Sequence, residues 1–157
     1  MTDYDSHSLQ LSGLIGGVPH RIANLANASA LLFDSLDRLN WAGFYLIEGE
    51  GDSAKLVLAP FQGRPACIEI PLGRGVCGTA AAEDRTVVVR DVHEFPGHIA
   101  CDCASASEIV VPLHGADGKV FGVLDIDSPV VGRFTDEDRA GLEAFAHILE
   151  AELAPRC

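Results

Sequence analysis

The chain has 157 residues with 23 Asp and Glu against 11 Lys and Arg, a net charge of −12. Its basic residues are scattered singly, which excludes charge-driven binding to nucleic acid or to an anionic membrane surface. Apolar residues make up 48% and charged residues 22%, which is the balance of a soluble domain large enough to bury a core.

Residues 6–15 suggest a short helix. Residues 19–39 predict a longer one, because Ile22, Leu25, Ala26, Ser29, Leu32, Phe33 and Leu36 recur at the three-four spacing of one buried face, with Pro19 near its first turn. Residues 41–48 and 54–61 are apolar runs separated by Gly49-Glu50-Gly51-Asp52, a β-hairpin. Residues 66–70 predict a third strand, 71–75 a loop, 76–84 an alanine-rich helix and 86–90 a fourth strand. Residues 107–113 and 119–127 pair across Gly115-Ala116-Asp117-Gly118. Thr135, followed by Asp136, Glu137 and Asp138, caps a last helix whose buried stripe is Leu142, Phe145, Ile148 and Leu149. The order gives an α+β domain on a six-stranded antiparallel sheet with flanking helices. Helices on one sheet face leave the other free for a ligand pocket.

No signal-peptide pattern is visible, and no apolar run reaches the ~18 residues of a membrane span. The expected location is the cytoplasm. Five cysteines without a C-x-x-C pair oppose both a disulfide framework and a knuckle-type zinc site in that compartment. No metal and no cofactor are expected.

Chemistry concentrates in the stretch Gly97-His98-Ile99-Ala100-Cys101-Asp102-Cys103-Ala104-Ser105-Ala106-Ser107-Glu108. Cys101 falls there on irregular backbone beside a strand, where free peptide N–H groups favour a thiolate or a bound carboxylate. Asp125 and Asp127, two apart, point to one side of the last strand with Phe121 and Val123 before them. Glu108 opens the neighbouring strand. Three carboxylates around one cavity repel one another and raise at least one pKa unless a cation, such as a primary ammonium, sits among them. The alternative is plain solvation of a strand end.

Trp41 and Tyr45 share a strand face, as core or as ligand wall. His93 and His98 flank the 91–98 loop as a base, a thiolate partner or surface residues. Gly73-Arg74-Gly75 matches no phosphate cradle. Cys77 lies near a helix start, where the dipole lowers a thiol pKa, or is a small core residue. Cys67, in a short strand, reads as core. The residues alone give a thiol-bearing pocket with acidic walls and leave the substrate unnamed.

Several contiguous motifs carry a resemblance. They are Asn40-Trp41-Ala42-Gly43-Phe44-Tyr45, residues 60–68 (PFQGRPACI), 73–80 (GRGVCGTA), 91–102 (DVHEFPGHIACD) and 122–129 (GVLDIDSP). Together they resemble the free methionine-(R)-sulfoxide reductases over residues 20–150. The resemblance implies a single GAF domain over residues 1–157, cytoplasmic and homodimeric, that reduces free methionine sulfoxide with thioredoxin as reductant. It implies Cys101 as nucleophile, Cys67 as the resolving cysteine and Cys77 as an auxiliary one. It also implies Glu108, Asp125 and Asp127 as the carboxylates holding the substrate, with Trp41 as the aromatic wall and Tyr45 as an accessory. The resemblance further implies that backbone N–H groups around Ile99, Ala100 and Cys101 take the substrate carboxylate. Cys103 departs from the family pattern, where serine is usual, and Cys157 lies outside the motifs. The competing expectation is a non-catalytic GAF module that binds a small ligand or senses redox state.

Overall fold

The computed structural model describes residues 2–98 and 104–153. Four helices and six strands follow in the order α1 (Tyr4–Ile15), α2 (Arg21–Ser35), β1 (Trp41–Glu48), β2 (Lys55–Gly63), β3 (Glu69–Pro71), α3 (Gly75–Glu83), β4 (Val87–Val89), β5 (Ser107–His114), β6 (Val120–Ser128) and α4 (Asp136–Leu153). The strands form one antiparallel sheet in the order β3-β2-β1-β6-β5-β4. Chain neighbours pair at both ends, and the β1–β6 pairing joins the two halves across the middle.

Period-two alternation assigns each central strand residue to a face. Ala42, Phe44, Ile109, Val111, Leu113, Leu124 and Ile126 point to one side and pack under α1, α2 and α4. Trp41, Tyr45, Val110 and Val123 point to the other, where they meet Val76, Cys77, Ala80 and Ala81 of α3. The second face is therefore not bare, as expected from helices on one side only. The short α3 lies on it and leaves room for a cavity at one end. Phe121 departs from the alternation: it packs toward the helical side, with the Arg21 guanidinium 4.9 Å from its ring centre.

The buried face of α2 is turned from the predicted stripe. Asn24, Leu25, Ala28, Ser29 and Leu32 are buried, whereas Ile22 is 75% exposed and Phe33 36%. Local hydrogen bonds make the polar residues tolerable inside. Asn24 Nδ2 donates to the Val18 carbonyl at 2.9 Å, and Ser29 Oγ donates to the Ala26 carbonyl at 2.9 Å.

Helix α4 starts as expected. The Thr135 N–H donates to Asp138 Oδ2 at 2.8 Å, and the Asp138 N–H returns a bond to Thr135 Oγ1 at 3.3 Å, a reciprocal cap of two otherwise orphaned donors. Asp138 also receives the Tyr4 hydroxyl at 2.7 Å and Arg133 Nη1 at 3.1 Å. The Tyr4 ring rests on Gly141, where a Cβ would collide with it, so α1 crosses α4 closely. On this helix Ala146 takes part of the buried stripe, and Ile148 is only partly covered.

Candidate active site

The register of β1, β6 and β5 builds the site. Trp41 lies opposite Asp127, and Asp127 lies opposite Glu108, so three pocket-facing residues form a row across three strands. One step along, Gly43 lies opposite Asp125, and Asp125 opposite Val110. Gly43 is needed there: a Cβ would collide with Phe61 and come within 2.9 Å of the Trp41 ring. The indole instead stacks on Phe61 with ring centres 5.1 Å apart and on Tyr45 at 5.9 Å.

Cys77, in the first turn of α3, closes the cavity from above the sheet. Its thiol donates to Glu108 Oε1 at 3.8 Å. One ligand atom each from Cys77, Glu108 and Asp125 lies within 4.8 Å of the others, and all three residues are buried. The cavity holds about 40 Å³ of free volume and is bounded further by Asp127, Ser105, His98, Ala66 and Ile70. That is room for a few water molecules and not for an amino acid.

Electrostatics in this enclosure follow burial. Desolvation pushes the Glu108 carboxyl well above the ordinary range, and the charges and hydrogen bond of Asp125, with the charge of Asp127, push it further. Asp125 is also raised by burial, but its hydrogen bonds with Glu108 and Cys77 act in the opposite direction. Glu108 is accordingly the member of the pair that keeps a proton, donated toward the Asp125 carboxylate. The other Asp125 oxygen, Oδ1, is buried and accepts no hydrogen bond, a costly arrangement unless a ligand donor arrives. Cys77 is pushed up by burial first and then by Asp125 and Glu108. Of the two readings of Cys77, the small buried residue holds and the dipole-lowered thiol does not, because carboxyl groups and desolvation outweigh the helix terminus. Burial, followed by the charge of His93, lowers His98.

Cys67 lies in the loop between β2 and β3 and not in a strand, because β3 begins only at Glu69. It is disulfide-bonded, whereas Cys77 is a free thiol. The loop is fastened to the aromatic wall at two points. Tyr45 Oη donates to the Cys67 carbonyl at 2.9 Å, and Trp41 Nε1–H donates to the Arg64 carbonyl at 3.2 Å. Sequence reasoning missed Ser105, Ala66 and Ile70 as cavity residues. The link from Asn40 Nδ2 to Ser105 Oγ at 3.0 Å joins residues 65 apart, and no local pattern reports such a contact. Ile99, Ala100, Cys101, Cys103 and Cys157 lie outside the described residues. His93 hydrogen-bonds with exposed geometry to Asp91 at 2.9 Å and does not line the cavity.

Comparison with known proteins extends these observations. The GAF domain family model matches residues 20–153. A relative from Escherichia coli named free methionine-R-sulfoxide reductase is 52% identical over 151 residues, covering 96% of this chain and 88% of that protein. The reduced form of the fRMsr of Staphylococcus aureus superposes with a TM-score of 0.92 at 55% identity, covering 98% of this chain and 97% of that one. The free methionine-R-sulfoxide reductase of Neisseria meningitidis, solved in complex with its substrate, superposes with a TM-score of 0.90 at 46% identity, covering 96% and 87%.

Proposed function

The chain belongs to the GAF-domain free methionine-R-sulfoxide reductases, and from that premise we propose that it reduces free L-methionine-(R)-sulfoxide to methionine through Cys101. The observation that carries this reading is the acidic cluster, in which Glu108 and Asp125 are buried and Asp127 is partly so. One carboxyl, Glu108, holds a proton that a sulfoxide oxygen can receive, and one carboxylate oxygen, Asp125 Oδ1, lacks the donor that an ammonium would supply.

In the proposed cycle the substrate ammonium sits against Asp125 and Asp127, and backbone N–H groups around Ile99 and Ala100 take its carboxylate. The Glu108 proton passes to the sulfoxide oxygen as the Cys101 thiolate attacks sulfur. The attack gives an adduct with a new sulfur–sulfur bond. Its hydroxyl passes to the Cys101 sulfur as the sulfur–oxygen and sulfur–sulfur bonds to the substrate break, so methionine leaves and Cys101 is left as sulfenic acid. Cys67 condenses with it, releasing water and forming a disulfide. Thioredoxin reduces that disulfide by thiol exchange and is itself oxidised. The disulfide state of Cys67 and the high pKa of the Cys77 thiol both support Cys67 over Cys77 as the resolving residue. Cys77 then serves as an auxiliary residue whose thiol orients Glu108 and, by donating to it, eases release of the Glu108 proton.

The 40 Å³ cavity must widen to admit substrate. Trp41 and the 64–67 loop are proposed as its movable wall, since aromatic side chains of β1 supply two hydrogen bonds to the loop and reduction of the Cys67 disulfide frees it further. Selection for the free amino acid follows from charge. A peptide offers neither the ammonium that offsets the acids nor the free carboxylate. The cycle requires a thiol reductant, which favours the cytoplasm, and the homodimer of the resemblance is proposed with it. No described helix is long and apolar enough to cross a membrane.

The test is oxidation of NADPH by thioredoxin and its reductase on adding free methionine sulfoxide. The R epimer should be consumed, and the S epimer and N-acetylated compound should not. Binding of the sulfoxide without NADPH oxidation or methionine release would instead favour the sensing module.

A further inference from the structure

We propose that Cys77, Glu108 and Asp125 also form a binding site for a divalent transition ion of the zinc class, which occupies the acidic pocket in place of substrate. Two observations carry this. The Cys77 sulfur and one oxygen from each carboxyl group already lie within 4.8 Å of one another. That separation suits tetrahedral coordination, in which thiolate and carboxylate ligands stand ~2.0–2.3 Å from the metal. Independently, Asp125 is only 5% exposed, and its Oδ1 has no hydrogen-bond partner. A buried carboxylate oxygen without a donor is the feature a cation would satisfy.

The ligand types narrow the ion. A single sulfur with two oxygens is too soft for magnesium or calcium, which take oxygen ligands alone. It suits zinc, or cobalt as its spectroscopic substitute. The protein supplies three ligands and the adjoining 40 Å³ cavity leaves space for water as the fourth. On binding, the ion displaces both the Cys77 thiol proton and the Glu108 carboxyl proton to solvent. Because it would lie where the substrate ammonium is proposed to sit, ion and substrate exclude one another. This exclusion rests on the function proposed above, whereas ion binding itself does not. Formation of the site also requires Cys77 to be reduced, so the ion reports the thiol state of the pocket. The role is inhibitory and not that of a cofactor.

The experiment titrates Co²⁺ into the fully reduced, metal-free protein and follows the thiolate-to-cobalt charge-transfer band and the visible ligand-field bands. One equivalent per chain should bind with tetrahedral intensity and be displaced by Zn²⁺. Cys77→Ser should remove the thiolate band. Asp125→Asn, which keeps the side-chain shape, should weaken binding by roughly tenfold or more. Cys101→Ser and Cys67→Ser should retain the band. Circular dichroism of each variant separates loss of the site from loss of the fold, and Glu108→Gln provides a second isosteric ligand change if Cys77→Ser unfolds. A band that survives Cys77→Ser and vanishes in Cys101→Ser would overturn the proposal by moving the ion to other thiols. Free methionine sulfoxide should expel the bound cobalt. If cobalt binds through Cys77 and the sulfoxide leaves it in place, the exclusion is overturned, and turnover of the sulfoxide by the metal-free protein then shows separately whether the reductase reading stands.

Discussion

The Cys77 thiol and the Glu108 carboxyl meet at 3.8 Å inside the acidic cavity, with the thiol as donor. This contact joins the first turn of α3 to the start of β5, so helix and sheet are fixed together at the point where a proton must be held. Glu108→Gln keeps the shape and removes the acid. Single-turnover release of methionine should slow by roughly 10²-fold or more, the scale for loss of a general acid. Binding should fall less, because Asp125 and Asp127 remain. Rapid-quench methionine formation at saturating sulfoxide, with binding followed by Trp41 fluorescence, separates the two. Weak binding with an unaltered rate at saturation would assign Glu108 to binding alone.

Cys67→Ser should still yield one equivalent of methionine per chain and then stop, because the Cys101 sulfenic acid has no resolving thiol. Dithiothreitol, which attacks a sulfenic acid directly, should restore part of the turnover. Thioredoxin-coupled turnover at the native rate would transfer the resolving role to Cys77 or Cys103.

Much of this site was legible because strand alternation is a hard constraint. Placing Asp125 and Asp127 on one face follows from a two-residue period, and Leu124 and Ile126, alternating with them and packed into the opposite core, agree with it. Other features depend on contacts that sequence does not display. Cys67 looked like part of a strand because the run from Ala66 to Ile70 is largely apolar, yet Ile68 is 70% exposed and the loop is bonded by Tyr45 and Trp41 from another strand. The α2 stripe placed Leu25, Ser29 and Leu32 correctly but missed Asn24, which satisfies itself with the Val18 carbonyl and can therefore be buried. For Cys77 the sequence left a dipole-lowered thiol and a core residue open, and enclosure decides for the second. A helix terminus can be seen in a sequence, whereas enclosure beside Glu108 and Asp125 cannot.

The Tyr4–Asp138–Arg133 cluster predicts a stability effect remote from the chemistry. The Arg133 side chain is 3% exposed and that of Asp138 is 5%. Asp138→Ala would leave a buried guanidinium short of a partner and remove the α4 cap. Loss should approach the lower end of the ~3–5 kcal/mol seen when one member of a buried pair is deleted, since Asp37 still meets Arg133 Nη2 at 3.0 Å. Urea unfolding of native and variant protein measures it, and an unchanged midpoint would show that the cluster is dispensable.

His114 links the end of α3 to α4 by hydrogen bonds to Asp84 and to Glu150, the latter at 3.1 Å. Partial burial opposes its charging, but the two carboxylates outweigh burial, and its pKa is raised. A raised folded-state pKa gives stabilisation that is full below the free imidazole value of ~6.5 and is lost as pH rises through the folded value. The unfolding midpoint should therefore fall between about pH 6 and about pH 8 in the native protein, and fall less in His114→Gln. Equal slopes in the two proteins would remove His114 from the pH dependence.

The most direct measurement is methionine formed by the reduced protein from the R epimer of free methionine sulfoxide, without added reductant, in native and Cys101→Ser forms. The native chain should release methionine stoichiometrically, and Cys101→Ser should release none while still quenching or enhancing Trp41 fluorescence on binding the sulfoxide. Methionine release by Cys101→Ser at the native rate would contradict Cys101 as the attacking sulfur and with it the proposed cycle.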